Sequence, residues 1–436
     1  MISPLPIYWS VRSYYRTRHY NFRDGAELRR HQQALLARQL PRVAARSPYY
    51  RAYAELPHMA WPTMDKVRML AHFDRINTAG LRIADVWETA LRAERSRDFL
   101  PTLHGISVGM SSGTSGQRGV FVVSRREQCD WVGALLARVL PRGLRGRQRV
   151  ALFLRADNNL YHAVRAGGLE LRFFDLFEPF VQQLKRMCLW QPTYVVAPAQ
   201  VLRAIAMEVN NGRMAPLAAR ALSVAEVLEP QDQDLLARAF AGVGEIYQAS
   251  EGFLGVRCSH GVLHLNEEDI LVEPEWLDAR RTRFVPVITD LRRMTQPIIR
   301  YRLDDVLHVH ERPCGCGRVT LAVAAIDGRC DDQLQLPAHR GGVVTVFADL
   351  VARALAQALP AEADYRLRQL GVATLELQSA IGALQLAHTR RHLEGVLALQ
   401  GADVELLRWQ LLDAAPVPLL GEKRRRIVRL FPPAGR

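Results

Sequence analysis

Apolar positions change their period twice along the chain, and the changes divide it into three stretches. Across residues 24–40, Leu28, Leu35, Leu36 and Leu40 fall roughly on one face at helical spacing. Pro41 is expected to end that helix. Pro57 and Pro62 mark a loop, and residues 64–70 read as another helix. From residue 101 onward, strand-like runs at 106–108, 120–123, 149–154, 171–176, 194–197, 222–227 and 245–248 are interleaved with helical patterns at 181–189, 200–209 and 231–240. A further helix is expected from Leu160, after a polar turn at 155–159. Such alternation predicts a mostly parallel α/β sheet. Between 261 and 309 the pattern turns to β, with apolar runs at 262–265, 270–272 and 284–288.

Beyond a polar stretch at 328–333 the pattern describes a small α+β unit. Phe347, Leu350, Val351, Ala354, Leu355 and Ala358 share a helical face that Pro360 ends. Residues 374–377 and 383–386 read as a hairpin around Gly382. A second helix is expected near 390–400, and 426–430 closes the chain as a strand. The expected organisation is therefore a helical part over 1–100, an α/β core over 101–331 and a small unit over 332–436.

Length and composition add bounds. A chain of 436 residues with 49% hydrophobic and 23% charged residues has the makings of a large folded core. No run approaches the ~18 apolar residues of a membrane-spanning helix. The N-terminal segment lacks the apolar centre and small-residue cleavage site of a signal peptide, so a cytoplasmic protein is expected. The formal charge of +14 suits an anionic partner: nucleic acid, an anionic membrane surface, or small ligands such as ATP and coenzyme A. The basic residues are spread along the chain, with one dense run at Lys423-Arg424-Arg425-Arg426, and no nucleic-acid-binding signature is present. Lysine occurs only at Lys66, Lys185 and Lys423. A chain that uses arginine almost everywhere invites the question of why it keeps lysine there.

Two constellations carry chemistry. Ser111-Ser112-Gly113-Thr114-Ser115-Gly116-Gln117-Arg118-Gly119 is a hydroxyl- and glycine-rich loop between two strand candidates. Glycines let successive backbone N–H groups converge on an anion, and the hydroxyls add donors and reach a Mg²⁺ ion. It is not a Walker loop, having neither the Gly-Lys-Ser/Thr ending nor a following helix. The second constellation is Cys258-x5-His264 with Cys314-Gly315-Cys316. Three thiolates and one imidazole suit a closed tetrahedral structural Zn²⁺ site. His260 is an alternative to His264, and the same residues also fit a strand histidine and two reduced thiols in a glycine turn.

Further along come Tyr247-Gln248-Ala249-Ser250-Glu251-Gly252, then Thr289-Asp290, Arg300-Tyr301-Arg302-Leu303-Asp304-Asp305, Gly328-Arg329-Cys330-Asp331-Asp332 and Lys423. In this order, together with the 111–119 loop, the set resembles the adenylate-forming (ANL) superfamily over roughly residues 100–430. It looks most like the phenylacetate–CoA ligase branch and its deazaflavin-coenzyme adenylyltransferase-related members. The resemblance implies an α/β fold: a large N-terminal adenylate-forming domain with mixed, mostly parallel sheets, and a small mobile α+β C-terminal domain. It implies that Ser111, Ser112, Gly113, Thr114, Ser115 and Gly116 hold ATP phosphates, that Ala225 and Glu226 lie where adenine packs, and that Tyr247 borders the nucleotide. Glu251 matches the Mg²⁺ ligand, Asp305 the acid that accepts from both ribose hydroxyls, and Arg302 and Arg329 cations placed to meet phosphate. Lys423 matches the mobile C-terminal lysine that bridges the carboxylate and the α-phosphate. Zinc sites like the one read above occur in the same branch. Tyr161, His162, Ala197 and Ala249 are the candidates for the acid pocket. Taken singly, Glu251 also reads as a solvated loop acid and Lys423 as part of a basic edge strand.

The sequence departs from the family in two places. Arg118 is the sole cation of the phosphate loop where many members carry lysine. Residues 336–346, after the hinge at 331–333, have no clear counterpart. The implied activity is activation of a small carboxylic acid by ATP through an acyl-adenylate, then transfer to a thiol, most directly coenzyme A. The alternatives are transfer to a carrier-protein phosphopantetheine or an amine, or of AMP to a phenolic cofactor. More remote is a non-enzymatic basic module binding nucleic acid or a membrane.

Overall fold

In the computed structural model, residues 4–96, 102–110, 119–140, 146–154, 168–175, 178–329, 333–346, 348–360, 363–416 and 425–431 are described. The chain opens with helices α1 (Pro4–Arg18), α2 (Gly25–Arg46), α3 (Lys66–Ala71), α4 (Phe73–Ile76) and α5 (Ile83–Ser96). Strands β1 (Thr102–Leu103), β2 (Ile106–Met110) and β3 (Val120–Ser124) form a small antiparallel sheet. Helix α6 (Arg125–Val139) follows, its N-terminus closed by a reciprocal capping box between Ser124 and Glu127. Next come β4 (Gln148–Leu154), β5 (Leu169–Asp175), α7 (Phe180–Trp190), β6 (Tyr194–Ala197), α8 (Ala199–Asn210), β7 (Leu217–Val224), α9 (Pro230–Ala239) and β8 (Phe240–Ala249). A run of strands then follows: β9 (Gly252–Arg257), β10 (Leu263–Leu265), β11 (Ile270–Trp276), β12 (Arg283–Asp290), β13 (Tyr301–Arg302), β14 (Asp305–Val309) and β15 (Ala322–Arg329).

Strands β4 to β15 make one 12-stranded sheet. Its order is β11, β12, β14, β15, β10, β9, β8, β7, β6, β4, β5, with β13 beside β12. Neighbours from β8 to β5 pair in parallel, and every other pairing in the sheet is antiparallel. The expected mostly parallel sheet is thus a mixed one. The reason lies in the connections. Parallel neighbours need a crossover, supplied here by α7, α8 and α9, whereas the short links beyond β8 leave room only for antiparallel return. In the parallel half both faces are covered: Ala151, Phe153, Val195 and Ala221 pack with Leu202, Ile205 and Leu236 of α8 and α9, while Val150, Leu152, Leu222 and Ile246 pack near α6.

Helix α1 lies against α6 at a point where no side chain fits. A Cβ on Gly133 would stand 2.2 Å from the Ser10 carbonyl oxygen and 2.8 Å from the Tyr14 backbone nitrogen. Alanine at 133 gains about 1 kcal/mol of helix propensity, but overpacking against backbone costs about 1–3 kcal/mol. Gly133→Ala is therefore expected to lower stability in denaturant unfolding and to expose α1 to protease. A stabilised variant with α1 still protected would show that the two helices are not seated this closely.

The small unit contains the hairpin β16 (Leu334–Pro337) and β17 (Val343–Val346), helix α10 (Ala348–Ala358), β18 (Arg366–Gly371), β19 (Thr374–Gln378), helix α11 (Ala383–Leu399), β20 (Arg408–Leu412) and β21 (Ile427–Arg429). Its four-stranded sheet has the order β20, β19, β18, β21. Val351, Leu355, Leu367, Leu375, Leu377, Leu393 and Leu397 form its own core.

Several local expectations change. Pro41 does not end α2, which runs on to Arg46. Pro41 and Ala37 are on the exposed side, where water can satisfy the carbonyl left without a donor, while Val43 and Ala44 beyond it are buried in the core. The expected second hairpin strand at 383–386 is the first turn of α11. Leu384 and Leu386 imitate strand alternation, yet Leu384 is 90% exposed, and the buried set Leu386, Thr389, Leu393, Leu397 has helical spacing. The strand expected at 222–227 runs from Leu217 to Val224 and stops at Ala225, whose φ of 65° breaks the extended path. The turn and helix expected from 155 lie outside the described residues.

Candidate functional site

Strand β8 and the turn after it place the first group of site residues. Tyr247 projects near the strand end, and its hydroxyl donates to Asp305 Oδ2 at 2.7 Å, across 58 residues of chain. Asp305 opens β14, next in the sheet to β15, and pairs in register with Arg329. The Ser250–Glu251 turn follows β8. Arg293 Nη1 donates to the Ser250 carbonyl at 2.6 Å and so pins the turn. Ser250 Oγ donates to Glu251 Oε2 at 3.0 Å. Tyr301 lies against Glu251, and burial first, then the Glu251 charge and their hydrogen bond, push its phenol far above the ordinary tyrosine range. It stays a neutral donor.

Ser250, Glu251 and Tyr301 line a cleft with Gly119, Val120 and Phe121 from the start of β3, Gln296, Ile298, and Lys66 and Met69 from α3. Lys66 was not among the residues singled out by motif. Its only sequence signal is its rarity in an arginine-dominated chain. Tertiary structure delivers it: Met64 N donates to the Arg300 carbonyl and Arg302 N to the Met64 carbonyl, both at 2.8 Å, so this segment runs beside β13. The Asp65 side chain then accepts from Arg68 N at 2.8 Å and starts α3 at Lys66.

At the C-terminal edge of the parallel strands, where open α/β sheets bind ligands, left-handed Ala225 directly follows β7. A left-handed conformation at a non-glycine residue costs on the order of 1 kcal/mol or more and clusters at ligand sites. Its neighbour Glu226 is engaged by helix α8, accepting from Gln200 N at 3.1 Å and Gln200 Nε2 at 3.0 Å.

Two expected site residues sit elsewhere. Arg302 adjoins Tyr301 in a strand, so the two side chains point to opposite faces. Tyr301 faces the cleft, and Arg302 is held by Glu275, Nε to Oε2 at 2.7 Å, on the other face. Ala197, expected to leave room for an acid, is fully buried in the core beneath α8 and α9. Ala249 is half-buried against the core of the antiparallel half. Residues 111–116, Tyr161, His162 and Lys423 lie outside the described residues, as does the side chain of Arg329.

The cysteine–histidine set does converge. Sγ of Cys258, Cys314 and Cys316 and a ring nitrogen of His264 all lie within 4.8 Å of one another. Cys258 and Cys314 sulfurs are 3.6 Å apart, and Cys316 Sγ is 3.3 Å from His264 Nε2. His264 Nδ1 lies 3.1 Å from the Thr320 carbonyl, which accepts from it and leaves Nε2 as the lone-pair nitrogen aimed at the sulfurs. Burial lowers the pKa of His264, which keeps the ring neutral. At Cys258, burial raises the thiol pKa, but backbone donors near the sulfur and the neighbouring cysteines more than offset it and the thiol ends below its ordinary value. Gly261, with φ 77°, and Gly317, with φ 79°, close the two turns that carry the sulfurs. His260 contributes its backbone N–H to Cys258 Sγ at 3.4 Å and its side chain is not one of the four. The six residues of β9 separate Cys258 from Glu251, a span of about 20 Å, so the cluster is remote from the cleft.

No protein-family model matches the sequence, and no curated protein matches it. Solved structures do share the fold. A 2-hydroxyisobutyryl-CoA ligase in its postadenylation state, in complex with 2-HIB-AMP, overlays with a TM-score of 0.67 at 16% identity, covering 93% of this chain and 90% of that one. The same ligase in the thioesterification state with 2-HIB-AMP and CoA gives 0.54 over 93% of this chain and 89% of that one, at 17% identity. An anthranilate CoA ligase in complex with anthranoyl-AMP gives 0.51 at 12% identity over 74% of this chain and 66% of that one. An amide bond synthetase from Marinactinospora thermotolerans gives 0.50 at 16% identity over 72% and 66%. The chain has the fold of adenylate-forming ligases: a large α/β part with a mixed sheet and a separate small C-terminal domain.

Proposed function

We propose that this protein is an adenylate-forming ligase of the acid–thiol type, in the phenylacetate–CoA ligase-like branch. The observation that carries the reading is that two distant motifs meet through two side-chain pairs, Tyr247 with Asp305 and Glu251 with Tyr301, the second pair lining a cleft. In a fold shared with ligases that hold acyl-AMP, this is the arrangement nucleotide chemistry requires.

In the first step a carboxylate oxygen of the substrate attacks the α-phosphorus of ATP, an acyl–O–P bond forms, and pyrophosphate leaves. The Asp305 carboxylate, oriented by the Tyr247 hydroxyl, accepts from the ribose hydroxyls. Ala225 and Glu226 edge the adenine position. Residues 111–116 cradle the phosphates with backbone N–H groups. Glu251, with Ser250 beside it, offers hard oxygen donors that suit Mg²⁺. That ion, when bound, neutralises charge on the phosphate oxygens. Lys66 adds positive charge to the same wall, where the phosphate loop itself has only Arg118. Arg302, held by Glu275, is left out of the phosphate contacts, and Ala197 out of the acid pocket. Tyr161, His162 and Ala249 remain the pocket candidates. Lys423 and Arg329 stabilise charge that grows between carboxylate and α-phosphate. In the second step a thiol, as thiolate, attacks the acyl carbon and AMP leaves. Coenzyme A is the favoured acceptor, because a ligase that overlays on 93% of this chain is a CoA ligase. The likeness to an amide bond synthetase favours an amine as the second reading. Cys258, His264, Cys314 and Cys316 hold a structural Zn²⁺ with no part in either step.

Among the described residues no helix is long and apolar enough to cross a membrane. The test is pyrophosphate release from ATP with a panel of aryl and fatty acids, with and without CoA, and mass spectrometry of the products. Acid-dependent release ending in an acyl-CoA supports the reading. Acid-dependent release indifferent to CoA moves the acceptor to an amine or carrier protein. No release with any acid counts against the ligase. Within that assay Glu251→Gln is expected to lose about 10–100-fold in turnover and to need more Mg²⁺, as for a lost metal-orienting ligand. An unchanged Mg²⁺ dependence would exclude Glu251 as a ligand.

A further inference from the structure

Among the described residues, a cluster of charged and polar side chains joins the small C-terminal domain to the large one. Arg426, just before β21, is buried and pairs with Glu229. Its Nη1 lies 3.2 Å from Asp232 Oδ2 and its Nε 3.8 Å from Asp364 Oδ1. Its guanidinium carbon stands 5.1 Å over the Tyr365 ring. Glu229 immediately precedes α9 and Asp232 lies in its first turn, so both acids belong to the large domain, while Asp364 and Tyr365 belong to the small one. Arg203 of α8 closes the cluster: Nη1 to Asp232 Oδ1 at 2.8 Å, and Nη2 donating to the Ala363 carbonyl at 3.3 Å. The Tyr365 hydroxyl donates to Glu229 at 3.4 Å, and Gln231 Nε2 to the Pro360 carbonyl at 3.2 Å. Burial disfavours the charged guanidinium, but Glu229 and Asp232 raise its pKa overall, so it stays charged.

We propose that Arg426 is a positioning residue, whose ion cluster with Glu229, Asp232 and Asp364 docks the small domain in the arrangement that forms the acyl-adenylate. This rests on the ligase reading above. Two physical points support it. First, Arg426 follows Lys423 by three residues, which span at most about 10 Å of extended chain. Anchoring one therefore restricts the other to a small volume. Second, a buried ion cluster fixes geometry without binding tightly. Desolvation consumes most of its Coulomb energy, and each charge recovers water when the surfaces part. An apolar seam of the same extent would specify the arrangement less sharply and release it less readily. The chain overlays better on the postadenylation state of the 2-hydroxyisobutyryl-CoA ligase than on its thioesterification state, TM-score 0.67 against 0.54.

The experiment compares the wild-type chain with Arg426→Met and Arg426→Lys by small-angle X-ray scattering without ligand, and in the two half-reactions. The first half is pyrophosphate release with ATP and the most active acid of the panel. The second is thioester formation from the synthetic adenylate of that acid with CoA. Arg426→Met removes the cation that bridges Glu229 to Asp232, leaving Asp232 with Arg203 and Glu229 with the Tyr365 hydroxyl. It is expected to broaden the scattering toward more extended particles and to slow pyrophosphate release about 100-fold, the order of a displaced catalytic group. Thioester formation should be retained, and Arg426→Lys should recover part of the first half-reaction. Unchanged scattering, or equal losses in both halves with a lowered Tm, would overturn the proposal in favour of a merely structural role. If Arg426→Met does not fold, Glu229→Gln is read in the same way with a smaller shift. If the wild type releases no pyrophosphate with any acid, the ligase reading fails and the scattering alone decides whether this cluster docks the domain.

Discussion

Lys423→Ala is expected to lose acyl-adenylate formation by about 100–1000-fold, the order seen when one preorganised charge is removed from a developing anion, while ATP binding and Tm stay near wild type. The argument is electrostatic. As the carboxylate attacks, negative charge builds on its oxygen and on the α-phosphate together. A single ammonium between them is worth more in that state than in the ground state, so its loss falls on turnover rather than on ATP affinity. Three arginines follow Lys423 and supply charge but not the same geometry. For that reason Lys423→Arg is expected to recover little. Thioester formation from supplied adenylate should survive the alanine variant, because the charge Lys423 stabilises has already been discharged. The measurements are pyrophosphate release, calorimetric ATP binding and thermal unfolding. Wild-type adenylation in Lys423→Ala would remove the residue from the reaction. A collapse in Tm would make it structural instead.

The second large effect concerns the metal. Purified protein is expected to contain about one zinc per chain, as for a closed four-ligand site. Cys314→Ser should abolish it and lower Tm by about 10 °C, a loss of a few kcal/mol in a domain of this size. The loss is expected to stay well below that of an isolated zinc finger, because Leu263, Leu265 and Val323 already seat β10 and β15 in the core. Cys188→Ser is the control. Cys188 lies beside the Met214 sulfur on the helical side of the sheet, outside the cluster, and its loss should leave the zinc content unchanged. Metal-free protein with an unaltered Tm would leave the three sulfurs and His264 as reduced thiols beside a core histidine. Adenylation should respond to zinc removal only through stability, since β9 keeps the cluster some 20 Å from Glu251.

Much of this was legible in the chain before its structure. Local patterns located most of the described strands and helices between 148 and 249, because apolar strands bounded by turns leave few alternatives. The cysteine spacing identified the four atoms that converge, and the order of Tyr247, Glu251, Asp305 and Lys423 pointed to the fold. Errors came where one local signal had two meanings. Pro41 reads as a stop, but a proline on the wet side of a helix costs less than leaving Val43 and Ala44 out of the core. Leu384 and Leu386 alternate like a strand, but only one of them is buried.

The sequence by itself determined most of the elements and the cysteine–histidine set that converges, since each rests on residue type and short spacing. Only the tertiary structure decided that the parallel and antiparallel strands join in one sheet, that Lys66 joins Glu251 at one cleft, that Ala197 belongs to the core, and that Arg426 pairs across the two domains. These depend on contacts between residues distant in sequence, where side-chain direction and burial are set by packing, and neither is written in the local order of the chain.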